Sequence, residues 1–366
     1  MIEVSDYLII GGGIAGTGAA ARLAPEASIT VLDMEDALGR HSTGRSAAIY
    51  IRNYGNATLR ALNAASEPVL ETPEGISDHS LLSARGELLI ATEDERDAFD
   101  AYLQGAAGME LLTAGEAVSL FPLLRKDRIA AAAIERAAKD IDVDRFLQGA
   151  ARLARTHGAR FVLSAPAQRI IRSAGKWRVE TPKGAFEAPV LINAAGAWAD
   201  EIAGLAGVRK VGLVPMRRSA AIVPAPLGVD VTGWPLVASA SESWYAKPDA
   251  GKLMVSPADE DPVEPHDAWA DDMVLAEGLY RFEQAVTMPV TRVERNWAGL
   301  RSFVPDRTPV VGFAGDADGF FWLAGQGGYG VQTAPALSQL TADLCLGRNS
   351  ELGSDVVQAL NPGRLL

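Results

Sequence analysis

Three glycines and an acid near the start of the chain carry its clearest chemical signal. Gly11, Gly13 and Gly16 satisfy the pattern G-x-G-x-x-G. They follow the apolar run Tyr7-Leu8-Ile9-Ile10 and open an alanine-rich, helix-favouring stretch from Thr17 to Leu23. Ile29-Thr30-Val31-Leu32 comes next and ends in Asp33. In such a turn the first glycine permits the tight bend and the second lets backbone approach a pyrophosphate. The third lets the helix pack close on the strand. The helix N-terminus then offers free N–H groups and a positive dipole end to the anion. Asp33 stands where a carboxylate accepts hydrogen bonds from ribose hydroxyls. The pattern points to a dinucleotide without separating FAD from NAD. A second segment, His41-Ser42-Thr43-Gly44-Arg45-Ser46-Ala47-Ala48, adds hydroxyls and a guanidinium that can wrap another part of a long cofactor. A helix is expected directly after it. The third signal is Arg301, set in an otherwise apolar and aromatic stretch between Trp297-Ala298-Gly299-Leu300 and Phe303-Val304. A buried cation is costly without an anion, and a guanidinium fork matches a carboxylate bidentately.

These residues need a scaffold, and the patterning supplies one. Strand, glycine turn, helix, strand and acid make the first half of a doubly wound α/β domain. Val143, Phe146, Leu147, Ala150, Leu153 and Ala154 recur at helical spacing after Asp142. Gly158 suits the C′ position, and Phe161-Val162-Leu163 reads as the next strand. Trp177-Arg178-Val179-Glu180 alternates like a half-buried hairpin strand. Val190-Leu191-Ile192-Asn193 reads as a buried parallel strand leading into Ala194-Ala195-Gly196. The Gly325–Gly330 turn precedes a helix running to about Leu346, with Pro335 near its first turns, where a missing N–H is tolerated. Residues 76–140 and 216–290 mix short strands, turns and a few helices, and read as one α+β domain split in sequence. The nucleotide domain is then discontinuous, comprising 1–75, 141–215 and 291–366.

Composition narrows the function classes. The 366 residues carry 34 Lys+Arg and 46 Asp+Glu, a net charge of −12. That balance argues against a nucleic-acid partner, which demands a basic face. The single cysteine, Cys345, excludes an intrachain disulfide or a Cys-ligated cluster. The histidines His41, His79, His157 and His266 form no HExxH pattern, so no protein-held metal is expected. No apolar stretch reaches the roughly 18 residues of a membrane span. Glu3 and Asp6 stand where a signal peptide would carry positive charge. The simplest expectation is a soluble protein of a reducing cytoplasm; attachment to the inner face of a membrane is the alternative.

Four motifs, taken in order, resemble the D-amino-acid oxidase, glycine oxidase and sarcosine oxidase superfamily of FAD enzymes. They are GGGIAG with Asp33; HSTGRSAA; Ile192-Asn193-Ala194-Ala195-Gly196-Ala197-Trp198; and a C-terminal pair. That pair runs from Gly299 through Arg301, Pro309 and Gly312, and then Gly325-Gln326-Gly327-Gly328-Tyr329-Gly330. The resemblance covers essentially the whole chain. Within the superfamily the wording of HSTGRSAA, WAGLRSF, the Tyr245–Gly251 block and QGGYG is most similar to the D-arginine dehydrogenases. It implies a glutathione-reductase-type FAD fold of the D-amino-acid oxidase subclass: a Rossmann-like FAD domain with a mixed-sheet substrate domain. The implied cofactor positions are Gly11, Gly13, Ile14, Ala15, Gly16 and Asp33; His41, Ser42, Thr43, Arg45, Ser46, Ala47 and Ala48; Ala195, Gly196 and Trp198; and Gly299, Arg301, Gly327, Gly328, Tyr329, Gly330 and Val331. Cys345 does not match the attachment position of covalent-flavin members, so the FAD is expected to be non-covalent.

The implied reaction is oxidative deamination. The Cα hydrogen leaves as hydride to flavin N5, and water hydrolyses the imino acid to a keto acid and ammonia. By resemblance Arg301 binds the substrate carboxylate, Arg218 is favoured over Arg217 to point into the site, and Tyr54, Tyr245, Tyr329 and Gly330 line the pocket. The glutamate of Arg85-Gly86-Glu87-Leu88 matches the one that faces a substrate guanidinium. Ile49 replaces the family's pocket histidine and favours a more apolar substrate. The expected substrates are therefore D-amino acids with basic or large apolar side chains, with a quinone or an electron carrier as acceptor. Oxidases of the sarcosine type place a lysine near the flavin; here Leu253 or Met254, rather than Lys252, is expected toward the ring. An oxidase of glycine or sarcosine, a flavin-linked 2-hydroxy-acid dehydrogenase, and a non-catalytic FAD-bearing subunit are the alternatives.

Overall fold

The computed structural model describes residues 2–365. Its centre is a six-stranded sheet in the order Arg160–Val162, Ile29–Leu32, Tyr7–Ile10, Val190–Asn193, Phe320–Ala324, Val310–Phe313. The first five run parallel and the last is antiparallel. Parallel strands are covered on both faces, which is why Tyr7–Ile10, Ile29–Leu32 and Phe320–Ala324 are apolar almost throughout and fully buried. The helices Ile14–Leu23, Val143–Thr156 and Gly330–Cys345 pack on one face. A four-stranded sheet of Ile2–Val4, Gly184–Ala188, Lys176–Thr181 and Arg169–Ser173 covers the other.

From the central strand Tyr7–Ile10 the chain steps first to one side and later to the other. The order therefore reverses between Tyr7–Ile10 and Val190–Asn193. In open α/β sheets ligands bind at this point, beyond the C-terminal strand ends. The glycine turn and Ala194-Ala195-Gly196 both emerge there. Gly11 has φ +113, and a Cβ on it would stand 2.2 Å from the Ala194 carbonyl oxygen. At Gly16 a Cβ would stand 2.0 Å from the Gly11 oxygen. Only glycine lets helix, turn and neighbouring strand approach this closely.

A second, larger sheet runs Asp261–Pro262, Val214–Val223, Lys252–Ser256, Tyr245–Asp249, Leu236–Ser239, Glu87–Ala91, Ala131–Glu135, Met109–Leu112, with Arg295–Phe303 also paired to Val214–Val223. All pairings are antiparallel except Leu236–Ser239 with Glu87–Ala91. One face packs on Phe121, Trp234, Trp244 and Phe282. The other face turns toward the strand ends of the first sheet. Arg295–Phe303 lies in the 291–366 segment yet belongs to this sheet, and so carries Arg301 across from one layer to the other.

One local expectation is corrected. No helix follows HSTGRSAA directly. Turns give way to the short strand Ile49–Tyr50, and the helix begins only at Ala57. Ala48 adopts φ 58, which a right-handed helix cannot continue, and Ile49 pairs with Asp140. Among the described residues no helix is long and apolar enough to cross a membrane.

Candidate active site

A cavity of about 390 Å³ runs from the glycine turn to the face of the large sheet. That is within the range of ligand pockets. At one end lie Gly11, Gly13, Ile14, Ala15, Asp33, residues 41–43 and residues 45–48, with Ala195, Gly196 and Trp198 opposite. At the other lie Ile49, Tyr54, Glu87, Arg218, Tyr245, Gly299, Arg301, Gly327, Gly328, Gly330 and Val331. Among the expected site residues, Gly16 and Tyr329 do not reach the wall. Gly16 is buried beneath the turn. Tyr329 stands behind Tyr54, their ring centroids 4.7 Å apart.

The nucleotide end has the features an anion needs. The helix Ile14–Leu23 starts at Gly13, which has no side chain to cap it, and carries no acid in its first turn, so no charge neutralises its positive end. Thr43 Oγ1 accepts from Ile14 N at 3.1 Å and fixes the loop above it. Asp33 accepts from Gly12 N at 2.5 Å and Glu35 N at 2.8 Å. Each of its oxygens keeps a lone pair, and burial raises its pKa. Glu35, which patterning did not single out, also lines the cavity and accepts from His41 Nε2 at 2.8 Å. The His41 ring packs on Trp198 at 4.7 Å. Arg45 is already occupied: it donates to Ala298 O at 3.0 Å and Ala268 O at 2.7 Å, and pairs with Asp267. Together with the Ser42 hydroxyl on Leu300 O at 2.6 Å, it staples this loop to the strand that carries Arg301.

At the other end, strand register sets the side chains. Arg218 lies opposite Gly299 and Met216 opposite Arg301, so Arg218 and Arg301 are diagonal neighbours on one face. Arg217 points to the opposite face, toward Asp259 and Asp261. Arg218 donates to Glu260 Oε1 at 2.8 Å, and burial beside Arg301 lowers its pKa. Arg301 has no carboxylate partner among the described residues; its one bond is a long 3.5 Å donation to the Tyr54 hydroxyl. The Arg218 Nε and Gln326 Nε2 donors are also buried on this wall without an acceptor. Buried donors without partners are rare in native proteins. On this wall these three could donate to the acceptor oxygens of a bound carboxylate.

The loop carrying Tyr54 is held from two sides. Glu135 accepts from Arg52 N at 2.8 Å and Asn53 Nδ2 at 2.6 Å. Gln332 Oε1 accepts from Ile51 N at 3.0 Å. Tyr245 and Met254 line the cavity from neighbouring strands, whereas Leu253 is buried in the core on the other face. Lys252 lies outside the cavity and pairs with Glu294. A second helix, Gly330–Cys345, also begins at the wall with no side-chain cap and no acid in its first turn. Tyr102 lines the wall as well and donates to Glu87 Oε2 at 3.0 Å. No local pattern marked it, because it sits on a short surface helix, Arg96–Leu103, folded against the sheet.

The residues fit an extended dinucleotide. An uncapped helix end and glycine cradle face a long cavity, and unpaired donors lie at its far end. Residues 6–344 match the family model described as DAO: FAD dependent oxidoreductase. The chain belongs to this family of FAD-dependent oxidoreductases, and FAD is its cofactor. It is similar to human mitochondrial dimethylglycine dehydrogenase, 23% identical over 98% of this chain and 44% of the relative. It is also similar to glycine oxidase of Bacillus licheniformis, 26% identical over 93% of each chain. The crystal structure of glycine oxidase from Geobacillus kaustophilus has the same fold, with a TM-score of 0.84 at 21% identity, covering 98% of each chain. The chain spans less than half the length of the dimethylglycine dehydrogenases it matches.

Proposed function

We propose that the chain is an FAD-dependent amino-acid dehydrogenase acting on D-amino acids with basic or large apolar side chains. The observation that carries this reading is Arg301, a cation on the cavity wall with no anion of its own. A substrate carboxylate supplies that anion in bidentate form. The Tyr54 hydroxyl, already at Arg301, hydrogen-bonds the same carboxylate, and Tyr245 closes the pocket with its ring. Fixing the carboxylate orients Cα, and positioning of this kind supplies much of a barrier reduction. The chemistry FAD would supply when bound is acceptance of the Cα hydride, with one proton of the α-ammonium group passing to solvent and water then converting the imino acid to keto acid and ammonia. The uncapped N-terminus of Gly330–Cys345 favours negative charge in the cavity.

In this reading the cofactor positions are those on the nucleotide half of the wall, with Gly16 acting through packing. Arg45 acts as the staple of its loop. The FAD is non-covalent, since Cys345 packs near the end of its helix and away from the cavity. Its thiol is pushed up to about 12 by burial. The FAD domain follows the six-stranded sheet, and the substrate domain follows the large one. Electrons pass to a quinone or a protein carrier, and the location is cytoplasmic. The glycine-oxidase reading is favoured by the relative of equal length, but Glu87 and Tyr102 extend the cavity beyond what glycine would fill. Anaerobic mixing with each D- and L-amino acid decides. Bleaching of the flavin by D-Arg, D-Lys, D-Met or D-Leu is expected. Bleaching by glycine alone, by L-enantiomers alone, or by no amino acid refutes the reading.

A further inference from the structure

Glu87 is only 4% exposed, yet it stands on the cavity wall. It opens the strand Glu87–Ala91 and lies directly opposite Glu135 in antiparallel register. The two carboxylates differ in support. Glu135 takes three donors from Arg52 and Asn53. Glu87 takes one, the Tyr102 hydroxyl at 3.0 Å on Oε2, and its Oε1 has no partner among the described residues. The turn 240–244 adds Glu242, and the flanking strand Leu236–Ser239 adds no titratable group. The other titratable groups on this end of the cavity wall are Tyr54, Tyr245, Arg218 and Arg301. No cation among the described residues is paired with Glu87.

Two buried carboxylates side by side cannot both ionise cheaply. Burial raises both pKa values, but Glu135 is held by three donors and Glu87 by one, so Glu135 gives up its proton the more readily and Glu87 keeps its own. Burial first, and Glu135 second, raise the Glu87 pKa to about 8. A neutral carboxyl at neutral pH attracts a cationic side chain only after losing that proton.

We propose that Glu87 and Tyr102 form a proton-linked selector at the far end of the substrate pocket. Its neutral form accepts an uncharged side chain, and a cationic side chain enters with release of the Glu87 proton to solvent. Tyr102 is the positioning residue: its O–H holds Oε2 and leaves Oε1 turned to the cavity. The proposal rests on the amino-acid reading of the cavity.

Two carboxylates without an α-amino group test it on the FAD-loaded protein: 5-guanidinopentanoate and heptanoate. Binding is followed by the change in the flavin absorption spectrum, and proton release by calorimetry in buffers of different ionisation enthalpy. The guanidino ligand is expected to release close to one proton at pH 7, and its affinity to rise with pH up to about 8. Heptanoate is expected to bind with no such linkage. In Glu87→Gln the proton release should disappear. In Tyr102→Phe, affinity for the guanidino ligand should fall roughly 10-fold or more through loss of a hydrogen bond to a charged group, and its pH dependence should move upward. Heptanoate binding with no proton linked to the guanidino ligand overturns the selector alone. So does proton release that persists in Glu87→Gln. If neither ligand perturbs the flavin, the carboxylate reading of the cavity falls, and the selector with it.

Discussion

Replacing Arg301 with alanine tests the site at its centre. The wall carries two neighbouring guanidinium groups, but only one is free. Arg218 is neutralised by Glu260 at 2.8 Å, and Glu260 also takes Arg307 at 3.0 Å on both oxygens. Arg301 has only the long contact to the Tyr54 hydroxyl. Truncation therefore leaves an incoming carboxylate without its main partner in a site with little water. Removing one member of a buried charge pair costs about 2–5 kcal/mol. In kcat/KM that is a loss of roughly 30-fold to several thousand-fold. Arg301→Lys should fall between, because it keeps the charge but loses the bidentate fork. Arg218→Ala should cost less than Arg301→Ala, because Glu260 retains Arg307. Anaerobic stopped-flow reduction of the flavin separates binding from the chemical step. A kcat/KM for Arg301→Ala within about threefold of the parent would place the carboxylate clamp elsewhere and remove the main support for an amino-acid substrate.

Three further outcomes follow from the same geometry. Acid or heat should release yellow FAD into the supernatant, because Cys345 stands away from the cavity; flavin retained by the precipitated chain would show a covalent link through another residue. Peroxide formation at ambient oxygen should be slow, because Met254 lines the cavity while Lys252 points outside to Glu294; fast peroxide production would make the protein an oxidase. Thermal stability should depend on Glu87, whose pKa rises from 4.5 to about 8 on folding. A raised pKa means that the folded state holds the proton more tightly, so this contribution is full below pH 4.5 and is lost as pH rises through 8. The fall in Tm between those limits should be shallower in Glu87→Gln, and an unchanged slope would mean that Glu87 is already ionised.

The nucleotide half of the site was legible because its chemistry is local. A glycine turn, the helix it opens and the acid after the next strand lie within 23 residues, from Gly11 to Asp33. The glycines are dictated by backbone close approaches that a side chain would violate, and Asp33 by the backbone N–H groups it accepts. Arg301 was legible for a different reason, as a charge embedded in apolar sequence. The helix expected after Ala48 failed because nothing local announces a left-handed residue there; the pairing of Ile49 with Asp140 is a long-range event. The staple role of Arg45 was equally invisible, since its acceptors at Ala268 and Ala298 are more than 200 residues away, although Arg45 does line the cavity.

The substrate end was harder to read because its charges matter only as a balance. Arg218, Arg301, Glu87 and Tyr102 come from three strands and a helix of the large sheet, and their spacing in sequence carries no period. Sequence offered Glu87 as an anion for a basic substrate and Ile49 as an apolar contact, in opposition. The register with Glu135 changes the terms of that opposition. A Glu87 that holds its proton at neutral pH does not repel an apolar side chain, and Ile49 then adds contact on the same wall. In the proposed selector, apolar and basic side chains are alternatives separated by one proton. Such a pocket would discriminate between them by pH as much as by shape, a property that no single residue in the sequence carries.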